Sequence, residues 1–351
     1  MQDKGSKERS EEPISKLHTI GAGFCGTVWA SSERGSAYKR EDGGEFRSLQ
    51  NDYNMHQRVL QSLRKFEGLD QVSHAMSPEI QVPDCRRFIT ADSDWWASNK
   101  QAFPSRYTAC NVLESQRIPP FPGRTRSLLV HKYCPPQMVD DIMESEANKD
   151  CLIRPYLGRH RRWSEFRTFS QIQVFSLRNF PLHASQMDEL DIPLEDRQHY
   201  ARIMARTLAI MHWIGNIDGG DIEFVLAPPN ENSRRSVDII LNCLGEHSVW
   251  VLDFDCCKDM SVDDAGVRRA VTAFWQNDPF YPRPIREPLL WAAFRVEYLQ
   301  SSEVATRLYD RAEAVKRRAL SKLFIDLVED QACGRYGKTI TCTENEKYVV
   351  A

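Results

Sequence analysis

A glycine-rich segment near the start of the chain has the residue types and spacing that bind a nucleotide phosphate. Gly21, Gly23, Gly26 and Val28 fill every fixed position of the pattern G-x-G-x-x-G-x-V, and Lys39 follows in the next apolar run. Glycine lets the backbone approach phosphate oxygens closely, and a lysine on a neighbouring strand supplies a cation to hold them. The pattern therefore predicts a phosphate cradle formed by this loop and Lys39.

The same glycine pattern also occurs in dinucleotide-binding folds, where the third glycine begins a helix. Here the third glycine is followed by residues 27–36, a β-branched and aromatic stretch that runs into a turn. This stretch favours a strand, a turn and a second strand, as in the glycine-rich loop of a kinase. A hairpin that needs glycines only for its tight turn is the structural alternative.

Two later segments carry acids at positions suited to phosphoryl transfer, which needs an acid to position the attacking hydroxyl and a carboxylate to hold Mg²⁺. Asp218 lies in a loop after a long helical pattern, and Glu223 follows five residues later, before an apolar strand. This spacing predicts Asp218 as the base and Glu223 as a metal ligand, or Asp221 if the loop is shorter. Asp253 ends the apolar strand 248–252 in the sequence Asp-Phe-Asp and is predicted to bind Mg²⁺.

A helix is predicted from residue 48 to residue 63, and it carries an acid for the lysine. Asp52 lies 13 residues after Lys39, on the helix face of Leu49, Tyr53 and His56. It is predicted to pair with Lys39 and orient it, although an aspartate is one methylene shorter than the usual glutamate. A solvated charge at the helix edge is the alternative. Each carboxylate alone is more often a cap or a surface charge, so the prediction depends on the ordered set.

Two departures from the kinase pattern favour a second hypothesis. No His-x-Asp sequence precedes the loop, and Glu223 stands where kinases have a metal-binding asparagine. Extra carboxylates could hold Mg²⁺, but their charge would also resist an anionic phosphate. The second hypothesis is a catalytically weak or inactive pseudokinase, which binds protein partners through its predicted insertion and C-terminal helices.

Composition excludes several classes of protein. The net charge of −3, from 46 basic and 49 acidic residues, argues against a general nucleic-acid binder. No run of 18 apolar residues and no secretory signal is present, which predicts an intracellular protein, cytoplasmic or nuclear, without membrane association. Ten cysteines include no Cys-x-x-Cys pair, which argues against a disulfide scaffold and against a structural zinc module.

The chain is predicted to contain two lobes between two tails. Residues 1–15 and 334–351 read as the tails, residues 16–180 as a small lobe with one helix and an antiparallel sheet, and residues 181–333 as a larger helical lobe. The proline-rich segment from about residue 70 to 150 is interpreted as an insertion. Strands are predicted at 151–156 and 174–177, and the connection between the lobes at 179–182. Helices are predicted at 195–213, 267–275, 288–299 and 304–328, and the last of them carries a basic face at 316–318 that is predicted to be solvated.

With these residues the chain resembles a fungal family of unknown function, often labelled zinc finger proteins, whose members look like distant protein-kinase-like folds. Its Asp-Phe-Asp sequence is also similar to that of aminoglycoside- and choline-type kinases. The resemblance implies a two-lobed α+β fold, with ATP and Mg²⁺ as cofactors and an unknown hydroxyl acceptor or protein partner. It covers most of residues 15 to 300, in the segments 21–28, 38–44, 51–53, 133–136, 148–156, 175–182, 211–213, 217–218, 221–228, 251–257 and 277–282.

Overall fold

Two β-sheets and nine α-helices make up the part of the chain that the computed structural model describes. This part comprises residues 14–31, 35–44, 48–70, 80–160, 175–229 and 239–336. Nearly all of the predicted N-terminal tail and residues 337–351 of the predicted C-terminal tail lie outside it. No helix in the described ranges is long and apolar enough to cross a membrane. The mixed α+β class predicted from the sequence is confirmed.

The first sheet is antiparallel throughout and contains the glycine-rich segment as a strand, a turn and a strand. Its strand order is β1-β2-β3-β5-β4. Helix α1 (Leu49–Asp70) lies between β3 and β4 in the sequence and is longer than predicted. The strands are β1 (His18–Ala22), β2 (Thr27–Ala30), β3 (Ser36–Arg40), β4 (Cys85–Ile89) and β5 (Val112–Gln116). Because β4 and β5 come from the predicted insertion, residues 85–116 are integral to this sheet.

The second sheet has the order β7-β6-β8-β10-β9, with β6 and β7 parallel and the other neighbours antiparallel. Its strands are β6 (Ile153–Tyr156), β7 (Phe180–His183), β8 (Glu223–Ala227), β9 (Ile240–Asn242) and β10 (Gly245–Leu252). The strand predicted at 151–156 is confirmed.

The predicted connection near residues 179–182 is wrong, because those residues form β7. The chain leaves the first sheet after Gln116 instead. Phe180 and Leu182 point into the core while Pro181 is exposed, and an edge strand tolerates a proline that a central strand would not. The strand predicted at 174–177 is also wrong for residues 175–177, which are not in a strand, and residue 174 lies outside the described residues.

The helices follow the predicted apolar periodicity, with shifted ends. Helix α6 continues into a π-helical turn, Met211–Gly215, which ends at Asn216 in the left-handed conformation. The helix predicted at 304–328 begins later, at Arg311, and extends three residues into the predicted tail. Besides α1, the helices are α2 (Trp95–Asn99), α3 (Gly123–Tyr133), α4 (Val139–Glu144), α5 (Ala184–Glu189), α6 (Leu194–Ile210), α7 (Asp264–Gln276), α8 (Pro288–Ala305) and α9 (Arg311–Tyr336).

Helix α1 packs against both sheets. Leu49, at its start, lies in a small apolar cluster with Cys25 and Leu113 of the first sheet, whereas Val59 is buried in the main core with the second sheet. Gln81, beyond the end of α1, exchanges two backbone hydrogen bonds with β10. These contacts fix the position of α1 between the sheets.

The basic triplet 316–318 is only partly solvated, which corrects the prediction of a solvated face. Arg317 is only 4% exposed, and it donates hydrogen bonds to Trp213 O at 2.7 Å and to Asn216 Oδ1 at 2.9 Å. Its guanidinium lies 3.9 Å from the ring centre of Tyr309. A helix end leaves carbonyl groups without intrahelical donors, and Arg317 satisfies one at the end of the π-helical turn. Helix α9 therefore supports the loop that follows.

We expect the fold to lose stability below neutral pH because of His247. This buried residue lies on β10, with Nε2 2.7 Å from the Tyr200 hydroxyl and Nδ1 2.8 Å from Gly245 O. Burial lowers the pKa of His247 from 6.5 to about 4, so the unfolded chain binds a proton that the folded chain does not. Stability is therefore full above the unfolded pKa and falls as the pH drops toward the folded pKa, by about 2 kcal/mol between about pH 7.5 and about pH 5.

Urea unfolding at several pH values tests this. The His247→Gln variant should be less stable near neutral pH and should depend less on pH than the wild type. The matched control, His131→Gln on the exposed side of α3, should follow the wild-type pH dependence. Identical pH dependence of the wild type and His247→Gln would contradict a buried neutral imidazole.

Candidate functional site

The side chain of Lys39 joins three distant parts of the chain. Its Nζ lies 2.6 Å from Asp52 Oδ2 and 2.6 Å from Asp253 Oδ1. Lys39 lies on β3, Asp52 on α1, and Asp253 directly after β10. Asp52 is buried, so it is not the solvated charge of the alternative interpretation. The predicted contact between Lys39 and Asp52 is confirmed.

The two carboxylates keep Lys39 charged. Burial alone would lower the pKa of Lys39, but Asp52 and Asp253 more than offset this effect, and the pKa lies well above its usual value. Burial raises the pKa of Asp253, and the nearby ammonium opposes that shift. Because the side chain of Asp253 is still 32% exposed, one side of this cluster is open to a ligand.

The turn after β10 is held in place by α1. Asp52 Oδ1 accepts a hydrogen bond from Phe254 N at 3.1 Å, and Asn51 Nδ2 donates to Asp255 O at 2.8 Å and to Cys257 O at 3.0 Å. Asp253 itself has a φ of +65°, which ends the extended strand. Two adjacent residues of one helix thus fix the carboxylate that meets Lys39.

The glycine loop folds back onto the residues that follow β3. Gly43 N donates to Cys25 O at 3.1 Å, and Gly44 N donates to Phe24 O at 2.8 Å. The side chain of Phe24 lies at the surface, since this residue is 79% exposed, whereas Cys25 is buried. Burial raises the pKa of the Cys25 thiol to about 12, so this thiol is neutral beside Lys39.

The predicted cradle residues differ in their structural reason for being glycine. A Cβ on Gly26 would lie 2.1 Å from Arg40 O, and Gly26 has a φ of +146°, so packing alone requires glycine there. A Cβ on Gly21 would make only ordinary contact with Val28. Among the described residues other than its chain neighbours, none has an atom within 4 Å of the Cβ position of Gly23. The space beside Gly23 is therefore open, and packing does not account for its glycine.

Asp218 lies in the loop after the π-helical turn, as the sequence predicts, and it is 4% exposed. Its Oδ1 accepts hydrogen bonds from Lys258 N at 2.9 Å and from Gly220 N at 3.1 Å, and its backbone N donates to Lys258 O at 3.0 Å. Burial raises the pKa of Asp218. The loop therefore pairs with the segment after Asp253 and presents a buried carboxylate.

A cleft of about 1170 Å³ opens beside Asp218. The described residues that line it include Asp218 but neither Lys39 nor Asp253, whereas a kinase site would place all three around one cavity. Its walls come from the start of α1, the loop at 218–221, the segment 255–259 and helix α7. Acidic and basic side chains both contribute: Asp218, Asp221, Asp255, Asp259, Lys258 and Arg269.

A buried thiol forms part of the wall of this cleft. Cys257 lines the cleft, and its Sγ lies 3.5 Å from Gly220 O. Burial raises the pKa of this thiol well above its usual value, and the carboxylates of Asp218, Asp52 and Asp253 raise it further. The neutral side chain of Cys257 is therefore close to the carboxylates of both Asp218 and Asp253.

The two residues predicted as alternative metal ligands have different surroundings. Glu223 begins β8 and forms an ion pair with Arg154, and burial raises its pKa to about 7. Asp221 is exposed and lies with Asp255 and Cys256, so that one ligand atom from each falls within 4.8 Å of the others. Glu223 is thus paired with the guanidinium of Arg154. Asp221 instead lies beside Asp255 and Cys256, to which the sequence pattern assigns no role.

Two asparagines at this site were also not anticipated. Asn51 binds the turn after β10, as described above, and its only sequence signal is its place beside Asp52. Asn277 accepts a hydrogen bond from Asp221 N at 2.6 Å and donates to Gly219 O at 3.0 Å. Asn277 lies in the segment 277–282 of the family resemblance, but its contacts could not be predicted because its partners lie 56 and 58 residues away.

Comparison with known families gives one match. Residues 249–309 match the model of the DUF3669 family, which is described as zinc finger protein. The match supports the resemblance to a family with that label over this segment, which includes Asp253, while a kinase likeness and a fungal origin stay predictions. The segment contains Cys256 and Cys257 but no histidine, so it lacks the ligands of a Cys₂His₂ zinc finger. A search of curated proteins gives no match.

We expect the Lys39–Asp52 pair to contribute more to stability than an exposed pair. Asp52→Asn leaves a buried ammonium with one carboxylate, and should lower the free energy of unfolding by about 2–4 kcal/mol in urea titrations, since breaking a buried pair is costly. The control is Asp188→Asn, which removes the 57% exposed partner of Arg197 and should cost less than about 1 kcal/mol. Equal losses in the two variants would contradict a stabilising role for the buried pair.

Proposed function

We propose that this protein transfers the terminal phosphoryl group of ATP to a hydroxyl acceptor, with Mg²⁺, on a two-lobed kinase-like fold. The observation that carries the proposal is the ammonium of Lys39, held 2.6 Å from both Asp52 and Asp253. These partners are 13 and 214 residues away in the chain. In kinases a strand lysine pairs with an acid of the following helix and lies near the metal-binding acid when the site is assembled.

The architecture supports this proposal. An antiparallel sheet with one helix, formed by β1–β5 and α1, fits the small lobe that the kinase resemblance implies. The second sheet and the remaining larger helices fit the larger lobe. Lys39 comes from the first unit and Asp253 from the second, so the ion pairs span the expected position of a nucleotide.

The residues fit ATP and Mg²⁺ chemically. The open space beside Gly23 gives a phosphate access to the loop backbone, and Lys39 supplies the cation. Asp253 offers carboxylate oxygens, which Mg²⁺ prefers, and it is partly exposed. Glu223 is less suited to a second ion because Arg154 neutralises it, which leaves Asp221 as the candidate. When bound, Mg²⁺ neutralises phosphate charge.

Asp218 would act as the base. Both backbone donors bind its Oδ1, and its Oδ2 accepts no hydrogen bond from the described residues. Burial raises its pKa, which makes it a better proton acceptor. In the proposed step the acceptor oxygen bonds to the γ-phosphorus, the bond from that phosphorus to the leaving ADP oxygen breaks, and the hydroxyl proton passes to Asp218.

The second candidate is a pseudokinase that binds partners without transferring phosphate. The pairing of Glu223 with Arg154 favours it, because the residue predicted at the second metal position is already neutralised. Nucleotide binding and turnover separate the two candidates.

We expect ATP with Mg²⁺ to raise the melting temperature of the wild type, since a ligand at ~100 times its dissociation constant stabilises by ~2.7 kcal/mol. Asp253→Asn should abolish the Mg²⁺-dependent part of the shift, and Lys39→Met should abolish the whole shift. Asp218→Asn should keep the shift but lose Mg²⁺-dependent ATP hydrolysis and label transfer to hydroxyl compounds. Circular dichroism would establish that each variant is folded.

The exposed Asp188→Asn variant is the control and should behave as the wild type. No shift at any Mg²⁺ concentration would overturn the enzyme proposal. A shift without turnover, unchanged in Asp218→Asn, would favour the pseudokinase.

A further inference from the structure

We infer that Arg40 is a positioning residue, which holds the glycine-rich loop in place through Asp42. The sequence pattern assigns no role to either residue. Arg40 follows Lys39 on β3, and because successive side chains of a strand point to opposite faces of the sheet, Arg40 points away from the Lys39 cluster. The consequence for a bound phosphate rests on the proposed function, whereas the hold on the loop does not.

The side chain of Arg40 is buried under a layer of aromatic rings. This residue is 1% exposed, and its guanidinium carbon lies 5.3, 4.8 and 5.2 Å from the ring centres of Trp96, Phe103 and Tyr107. Its Nη2 donates to Thr108 O at 2.6 Å. Its Nη1 is buried without a hydrogen-bond partner in the described part of the chain, and cation–π attraction to the rings offsets that loss. All four of these partners lie between β4 and β5.

The third nitrogen of the guanidinium connects this aromatic layer to the glycine-rich loop. Arg40 Nε donates to Asp42 Oδ2 at 2.9 Å, and Asp42 Oδ1 accepts from Thr27 N at 2.8 Å. The Thr27 hydroxyl also donates to Asp42 Oδ2 at 2.8 Å. Hydrogen bonds to a carboxylate are roughly twice as strong as neutral ones. Since Thr27 directly follows Gly26, the third glycine of the loop, Asp42 holds the loop by its backbone.

The loop and the residues after β3 are in direct backbone contact. A Cβ on Gly26 would lie 2.1 Å from Arg40 O and 2.6 Å from Asp42 Oδ1, and a Cβ on Gly43 would lie 2.2 Å from Phe24 O. Two glycines, one on each side, therefore allow the contact. Because any movement of the segment after β3 would displace the loop with it, a fixed Arg40 also fixes the loop.

This arrangement prepares the loop for phosphate before a ligand binds. A loop that is already held in its binding shape loses less conformational entropy on binding, which increases affinity. The open space beside Gly23 lies on the loop that Asp42 holds, so phosphate groups would gain more from this preorganisation than a base or a sugar would. The segment between β4 and β5, interpreted from the sequence as part of an insertion, would thus act on phosphate binding through Arg40.

Amide hydrogen exchange without nucleotide tests whether Arg40 holds the loop. Arg40→Lys keeps the charge, but an ammonium cannot reproduce the planar fork that donates to Asp42 and to Thr108 O together. Peptides covering residues 20–28 should exchange about tenfold faster in this variant than in the wild type, because local opening of the loop becomes easier, and peptides from α8 should not change. The control is Arg86→Lys on β4, where the side chain is 40% exposed, and it should leave the loop at the wild-type rate.

Calorimetric titration in the presence of Mg²⁺ tests the consequence for phosphate. Arg40→Lys and Asp42→Asn should each weaken ATP binding by about tenfold and leave AMP binding within about twofold of the wild type, because AMP lacks the outer phosphates that a loop of this kind covers. General destabilisation would not distinguish the two nucleotides. Arg86→Lys should bind both nucleotides as the wild type does.

Asp42→Asn should also speed exchange of the loop, and because the Asp42 side chain is 19% exposed, this variant tests the contact even if Arg40→Lys fails to fold. Loop exchange at the wild-type rate would overturn the positioning role, and equal losses of ATP and AMP affinity would overturn its consequence for phosphate. If the wild type binds neither nucleotide, the phosphotransfer proposal fails, while the exchange experiment still decides whether Arg40 holds the loop. The two failures are therefore distinguishable.

Discussion

The two ion pairs of Lys39 constrain the rest of the structure, because they can form only if β3, α1 and the end of β10 arrive at one point. A buried charge costs several kcal/mol unless its partners are in place. The apolar packing must therefore already be correct, with Phe254 fully buried and 5.1 Å from the ring of His56 on α1. Given that packing, the pairs select one position of α1 relative to β10.

Helix α1 extends the same constraint to the Asp218 loop. Near its middle, Arg58 donates to Asn216 O at 3.1 Å and forms an ion pair with Asp259. Asn51, Asp52, Met55 and Arg58 follow at helical spacing, so a single stripe of α1 contacts every segment of the site. A displacement of α1 would break the contacts of Lys39 and loosen the cleft wall together. The two halves of the site are therefore mechanically coupled through this helix.

The sequence predicted the position of a site residue correctly where helical periodicity or the end of an apolar strand determined that position. Helical periodicity indicated Asp52, and the end of an apolar strand indicated Asp253. Proline was a misleading signal in the segment that contributes β4 and β5. Residues 179–182 were misassigned because Phe180 to His183 pair with β6 at the edge of the second sheet, a partner that the sequence does not reveal. Arg317 was misjudged because burial of a charged side chain depends on distant partners, here the carbonyl of Trp213. Asp221, Asp255 and Cys256 meet only through tertiary contacts, so no spacing could have grouped them.

A short hydrogen-bonded backbone segment connects the two halves of the site. Cys257 lines the cleft that holds Asp218, and its N donates to Phe254 O at 3.1 Å, which ties it to the turn after β10. Backbone bonds from Asp218 to Lys258 and from Met260 to Asn216 extend this turn into a short ladder. Asp218 is thus held by backbone hydrogen bonds to the segment that begins at Asp253. The separation of the Asp218 loop from the turn after β10 is therefore determined by backbone hydrogen bonds rather than by flexible side chains.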